Sequence, residues 1–433
     1  MSARLTAYKA LIACRKDKAW SDAVLSQLIS RDGLDRRDAA LATRLFFGVL
    51  QNRILLDHYI DGFLTGKKHL QPGLRDILRL GACQILFLDR IPAAVAVSES
   101  VALARGRYSS RECALVNAVL RRLAEHAATL ELPKDYSVRY SHPPELVDLM
   151  KESLGKSLGT VLAADNEIPP ITVVTNTLKT DAETLAGVFE SETLDFTPHP
   201  WLKGAFNLKN TGDITARVSF RDGLFQVQDA AARLSVDLLR PLPGERLLDL
   251  CAAPGGKSLA AAMHMENRGE IISCDLHPGK LGEIRDAAAR LGVDIISTKE
   301  NDARQLREEW VGAFDRVIAD VPCSGLGVIR KKPDIRYKNI ADMEALPALQ
   351  AEILETAASY VRPGGMLLYS TCTILKRENS AVVDAFLGRH PEYEPVSLTL
   401  PEGLTEEKCG MLSLYQGIHS CDGFFIACMR RRK

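Results

Sequence analysis

Two cysteines stand where they could do chemistry: Cys323 in 320-DVPCSG-325 and Cys372 in 370-STCT-373, with Asp320 three residues before the first. A thiolate is a good nucleophile, and a second thiol and a carboxylate beside it supply the helper groups that covalent catalysis needs. Either thiol alone reads equally as a small buried hydrophobe. A third stretch makes the set more specific. In 247-LLDLCAAPGGKS-258 an apolar run, broken by Asp249, enters Pro254-Gly255-Gly256, as a buried strand enters a tight loop and then a helix. Glycines allow close approach of a ligand, and the helix start offers free N–H groups. The spacing excludes a phosphate loop, because Cys251 stands where its first glycine belongs, and a G-x-G-x-x-G fingerprint, because only Gly255 and Gly256 are present. A nucleoside cofactor without a triphosphate remains, S-adenosylmethionine foremost, with a plain strand-turn-helix connection as the alternative. Lys257, in the first helical turn, opposes the helix dipole and so points to a nearby anion.

These residues require a sheet to carry them. From Gly223 onward strands and helices alternate, the pattern of a doubly wound, Rossmann-like α/β fold. Strands are expected at 246–251, 270–276, 293–298, 315–321 and 365–371, with 411–416 and 423–430 closing the sheet antiparallel, seven in all. Acidic residues then fall at successive strand ends. Asp275, 19 positions after Gly256, is placed for ribose hydroxyls, Asp302 for an adenine amino group and Asp320 for the reaction centre. Each alone would pass as a helix cap or turn residue.

The chain has 433 residues, 46% hydrophobic and 25% charged, enough for two or three domains. Residues 1–130 read as an all-α bundle, 131–221 as a small α/β connector and 222–433 as the α/β domain. Net charge is zero overall, yet the first 124 residues carry an excess of nine cations. That excess suits nucleic acid, or a solvated helical face. Ten scattered cysteines, without a C-x-x-C pair or a His/Cys cluster, argue against disulfides and against a metal site. No run of eighteen apolar residues and no signal-like N-terminus occurs, so a cytoplasmic chain without a membrane segment is expected.

Two resemblances follow. Residues 75–105, with DRIP, and 116-VNAVLRRL-123 resemble the NusB-type helical domain fused to bacterial ribosomal RNA cytosine methyltransferases, which implies RNA binding by cations such as Arg105, Arg107, Arg121 and Arg122. LDLCAAPGGKS, DVPCSGLGVIRKKPDIRY, YSTCTI and 421-CDGFFIA-427 together resemble the Fmu/Sun family of RNA cytosine-C5 methyltransferases, and the NusB-like front end points to its bacterial 16S ribosomal RNA members. The resemblance implies Cys372 as nucleophile, Cys323 as the thiol assisting release, and Asp320 and Lys257 as contacts to a flipped cytosine. It implies that Cys251, Ala252, Ala253, Pro254, Gly255, Gly256 and Lys257, with Asp275, Asp302 and Asp320, hold S-adenosylmethionine, that no metal takes part, and that 16S ribosomal RNA is the partner; the sequence does not disclose the oligomeric state, for which a monomer is the expectation. The same chemistry on transfer RNA or another RNA, or a non-catalytic assembly factor, are the alternatives. Segment 329-IRKKPDIRY-337 offers four cations and a tyrosine for RNA. Relatives carry an arginine in the strand near 172–179, where this chain has Val174.

Overall fold

The computed structural model describes residues 2–17, 21–64 and 69–433. It divides into two compact units, one of residues 1–151, 162–167 and 329–338 and the other of residues 152–161, 168–328 and 339–433.

The first unit is helical, with Ala3–Asp17, Ser21–Asp32, Arg36–Phe63, Pro72–Phe87, Ala93–Ala104 and Ser110–His126 as its main helices. Their starts are legible. Asp35 caps the third by accepting from the Asp38 N–H, Pro72 opens the fourth, and Ser109 with Glu112 forms a capping box on the sixth. Their apolar faces meet in one core that includes Leu11, Leu45, Phe46, Leu56, Ile60, Ile77, Leu78 and Leu120. Arg36–Phe63 is long and apolar enough to cross a membrane by length and composition. Here it is the core helix, and the two acids of its last turns are paired: Arg75 reaches Asp61 at 2.8 Å and Arg79 reaches Asp57 at 2.6 Å.

That helix kinks at Asn52, whose φ of −117° and ψ of 18° leave the helical region. Main-chain groups around the kink take partners from elsewhere. The Leu55 N–H donates to Ser141 Oγ at 2.9 Å, Tyr337 OH donates to the Leu50 carbonyl at 2.8 Å, and Arg336 Nη1 donates to the Gln51 carbonyl at 2.7 Å. Arg336 also donates to the carbonyls of Tyr140, Ser141 and Asp165 and to Asn166 Oδ1, and is 1% exposed. Arg53 stacks over Tyr337, 4.5 Å from the ring centroid. The expectation that Arg336 and Tyr337 face RNA is therefore corrected: a guanidinium with five donors can satisfy several carbonyls at once, and here they come from Gln51 at the kink and from Tyr140, Ser141 and Asp165. Lys331 and Lys332 of the same segment are exposed.

In the second unit a four-stranded antiparallel sheet, β1 (Ile171–Thr175), β2 (Asp195–Pro198), β3 (Ala205–Lys209) and β4 (Phe225–Val227), runs in the order β2-β3-β1-β4. Helix Ala182–Ser191 covers one face through Leu185 and Phe189. Val174, 4% exposed, belongs to the core on the other side, so no cation is presented from that position. Asn176 Nδ2 joins this layer to the larger one by donating to the carbonyls of Gly223 and Leu291, each at 2.8 Å.

The larger sheet contains β5 (Arg246–Asp249), β6 (Glu270–Asp275), β7 (Ile296–Glu300), β8 (Phe314–Asp320), β9 (Val361–Thr371), β10 (Tyr393–Pro395), β11 (Met411–Leu414) and β12 (Phe424–Arg431). Its order is β10-β12-β9-β8-β5-β6-β7, with β11 also on β12. β5 to β9 are parallel and β12 runs against β9. The seven expected strands are present, and Tyr393–Pro395 adds a short eighth at the edge. Both faces are buried. Leu247, Ile318, Leu368 and Ile426 pack against helices Ala230–Leu239 and Gly256–His264, while Leu248, Val317, Leu367 and Phe425 pack against Leu346–Tyr360 and Ser380–Arg389. This explains the unbroken apolar runs of the strands. The connection leaving β5 goes to β6 on one side while β8 lies on the other, which opens a crevice at the C-terminal ends of β5 and β8.

Replacing Arg336 by methionine should lower the stability of the helical unit by about 3 kcal/mol, since charge-assisted bonds vanish and buried carbonyls are orphaned. Lys332→Met should change it by less than about 0.5 kcal/mol. Equal urea midpoints for the two variants would refute the account of the kink.

Candidate active site

The loop after β5 turns at Gly255, whose φ of 101° a side chain would resist, and delivers helix Gly256–His264. No side chain caps that helix, so its first N–H groups lack a capping acceptor. Behind the loop, Gln226 Nε2 and Gln228 Nε2 both donate to the Gly256 carbonyl, at 3.0 and 2.9 Å. Ser258 Oγ donates to Asp249 Oδ2 at 2.7 Å, and Ser273 Oγ donates to Ser258 Oγ at 2.7 Å. Asp249 Oδ1 is buried without a partner. Burial pushes the Asp249 carboxyl up to about 7.

The register of β8 on β9 sets Asp320 opposite Ser370. Ser370 Oγ donates to Asp320 Oδ1 at 2.7 Å, and Lys257 Nζ donates to Oδ2 at 2.6 Å. The anion that Lys257 required in its helix turn is thus Asp320. Lys257 also lies 5.0 Å from the centroid of the Phe424 ring and is 8% exposed. Just beyond the strand ends, Cys323 Sγ and Cys372 Sγ are 3.2 Å apart. Further bonds tie the two loops together: Ser324 Oγ and Thr373 Oγ1 lie 2.7 Å apart, and the Gly327 N–H donates to the Cys372 carbonyl at 3.0 Å. A Cβ on Gly327 would stand 1.9 Å from the Gly423 carbonyl oxygen, so that crossing admits only glycine.

The two thiols are not equivalent. The hydrogen bond from Cys323 holds Cys372 below the usual thiol range, with the Lys257 cation acting in the same direction against burial. The same hydrogen bond and then burial push Cys323 well up, and Glu378 and Asp320 add to the rise. The opposite directions of the two shifts make Cys372 the more nucleophilic sulfur of the pair. Cys251 is pushed up by burial and nearby carboxylates, which makes it a poor nucleophile.

Asp275, at the end of β6, accepts from the His277 N–H at 2.9 Å. Asn301 follows β7, and its N–H donates to the Asp275 carbonyl at 3.1 Å while its Nδ2 is buried without a partner. Asp302 is bonded by Arg304 through Nε at 3.0 Å and Nη2 at 2.7 Å, which lowers its carboxyl. Unpartnered buried atoms along this edge comprise acceptors, Asp249 Oδ1 and the Oε1 atoms of Gln226 and Gln228, and a donor, Asn301 Nδ2. With the uncapped helix start, this mixed set fits a zwitterionic nucleoside such as S-adenosylmethionine. Ser370 and Phe424 lay inside 370-STCT-373 and 421-CDGFFIA-427 without a role of their own, and Asn301 and the two glutamines lay in no motif. Gln226, on β4, and Gln228, just past its end, left only their alternation as a trace in the sequence.

The family model described as 16S rRNA methyltransferase RsmB/F matches residues 236–430, the NusB family residues 1–125, and the RsmF/B-like ferredoxin-like domain residues 142–215. The chain is similar to the probable ribosomal RNA small subunit methyltransferase B of Bacillus subtilis (strain 168), 35% identical over 100% of this chain and 99% of that protein. The crystal structure of PH0851 matches with a TM-score of 0.81 at 26% identity, covering 100% of this chain and 98% of that one. A methyltransferase homolog protein from Pyrococcus horikoshii gives 0.61 at 29% identity, over 69% of this chain and 98% of that one.

Two outcomes follow from the electrostatics. Lys257→Met should move the pH midpoint of Cys372 alkylation upward and slow alkylation at pH 7, read by mass spectrometry of the Cys372 peptide; an unmoved midpoint would remove Lys257 from thiol activation. For Asp249, whose folded carboxyl titrates above its unfolded value, the folded chain keeps a proton that the unfolded chain has lost, and stability falls as pH rises from about 4 to about 7. Relative to wild type, Asp249→Asn should gain on the order of 4 kcal/mol across that window and nothing further above it. A pH-independent difference in unfolding free energy would contradict this.

Proposed function

Because the chain belongs to the ribosomal RNA small subunit methyltransferase B family, we propose that it forms 5-methylcytosine in 16S ribosomal RNA through a covalent bond between Cys372 and carbon 6 of the base. The observation that carries this reading is the 3.2 Å contact of Cys323 and Cys372 beside the Lys257–Asp320 pair. Carbon 5 of cytosine is too electron-poor to take a methyl group directly, and a nucleophile added at carbon 6 turns the C4–C5–C6 unit into an enamine. S-adenosylmethionine, when bound, supplies the electrophilic methyl group. Cys251, Ala252, Ala253, Pro254, Gly255, Gly256 and Lys257, with Asp275, Asp302 and Asp320, would hold it.

A cleft at strand ends admits a base only after it leaves its stack. Both Asp320 oxygens already act as acceptors, toward Ser370 and Lys257, and an acceptor suits the exocyclic N4–H of cytosine. Lys257 steadies that carboxyl, and its charge favours the Cys372 thiolate. The Cys372 thiolate forms the C6–S bond. After methylation a base takes the proton from carbon 5, the C6–S bond breaks, and its electron pair returns to sulfur. Cys323, donating to the Cys372 sulfur, stabilises the departing thiolate and so assists release. On the helical unit Arg105, Arg107, Arg121 and Arg122 are exposed, and this reading assigns RNA phosphates to them.

The test is denaturing electrophoresis of wild type, Cys323→Ala and Cys372→Ala after incubation with S-adenosylmethionine and 16S ribosomal RNA. A slow-migrating RNA adduct should accumulate in Cys323→Ala and be absent in Cys372→Ala. The reverse pattern would exchange the roles of the thiols, and no adduct or methyl incorporation in any sample would refute the reaction.

A further inference from the structure

Each reactive thiol is bracketed by neighbours that hydrogen-bond, directly or through Gln350, to one adjacent pair of residues, Glu378 and Asn379. Around Cys372, Thr371 Oγ1 donates to Asn379 Oδ1 at 2.6 Å, and Asn379 Nδ2 donates to the Thr373 carbonyl at 3.0 Å. Around Cys323, the Ser324 N–H donates to Glu378 Oε2 at 2.9 Å. Gln350 Nε2 donates both to that same oxygen, at 2.9 Å, and to the Pro322 carbonyl, at 3.0 Å. Ser324, Thr371 and Thr373 are therefore held directly by one dipeptide, and Pro322 is tied to it through Gln350.

The local structure shows what these two side chains give up. Asn379 precedes helix Ser380–Arg389, where asparagine is a favoured cap, yet its side chain makes no capping bond. Glu378 is fully buried, with Oε1 lacking any partner, an arrangement that disfavours folding compared with an apolar side chain. Tyr369 OH fixes the main chain there by donating to the Glu378 carbonyl at 2.6 Å.

We propose that Glu378 and Asn379 are positioning residues which set the separation of Cys323 and Cys372, Glu378 holding the first thiol's loop and Asn379 the second's. The two anchors are joined by a single peptide bond, so the spacing of the loops follows from the geometry of one dipeptide. Its catalytic consequence rests on the thiol chemistry proposed above; its structural content does not. Near-contact of the sulfurs lets one proton be shared, and a displacement of about 1 Å at a reacting centre costs on the order of a hundredfold in rate.

A trivalent arsenical, which bridges two thiols only when they lie close together, reads the spacing without substrate, and its capture is scored by intact mass. Wild type should be bridged at the Cys323–Cys372 pair. Glu378→Ala and Asn379→Ala should lose bridging and about 10- to 100-fold of kcat, with KM for S-adenosylmethionine changed by less than about twofold. Glu378→Gln keeps an oxygen that can accept both donors, and should restore bridging and bring kcat within about threefold of wild type. Thr371→Val, a milder change that removes one bond to Asn379, should act in the same direction as Asn379→Ala and serves if an alanine variant does not fold. Unchanged bridging in the alanine variants and in Thr371→Val would overturn the proposal. So would equal loss in Glu378→Gln and Glu378→Ala. Bridging is scored whether or not RNA is methylated, so failure of the reaction assignment is told apart from failure of the positioning.

Discussion

The parallel pairing of β8 with β9 is the constraint on which the site depends. Its register sets Asp320 beside Ser370 and brings the next residues of both strands out on the same edge, where Cys323 and Cys372 meet. A slip of one residue would turn every side chain of a strand to the opposite face and send the cysteines apart. The register is specified by burial on both sides, since Val317 and Leu367 face one layer of helices and Ile318 and Leu368 the other. The chemistry is thus positioned by the apolar core, through strand geometry.

Polar groups on this edge are arranged against the interests of stability. Asp249, Gln226, Gln228 and Glu378 each bury an atom that lacks a hydrogen-bond partner, and all four support or adjoin the loops at the C-terminal ends of the strands. Native proteins leave few such groups, and those they keep tend to gather where a ligand is handled. The opposite, N-terminal edge shows satisfied pairs instead, such as Arg316 with Glu245 and Arg362 with Asp315.

Much of the architecture was legible because period and punctuation agreed. Continuous apolar runs marked the strands of the parallel sheet, Pro254-Gly255-Gly256 marked the turn, and the two cysteine motifs fell at strand ends. What escaped the sequence depended on long-range partners. Lys257 signalled an anion, and a side chain 63 positions away supplied it. Arg336 and Tyr337 had the composition of a nucleic-acid loop, but a kink at Asn52, more than 280 positions earlier, absorbed both. Val174 showed the reverse case, in which a missing cation could be read directly and the structure gave the position to the core. The β10 strand, three residues long and containing a proline, carries too little pattern to be recognised outside the sheet.

The Arg336 segment also bears on how such a protein can be cut and joined. The helical unit looks like a module that could be moved as one N-terminal piece, yet ten of its residues, 329–338, are encoded within the stretch that builds the other unit. A gene fragment ending at residue 167 would retain all of the main helices and lack the side chains that fill the kink in the longest of them. Recombination at the obvious boundary would separate a lock from its key. The two units are therefore expected to be inherited together, and a transplanted helical unit would have to bring the insert with it or straighten the helix at Asn52.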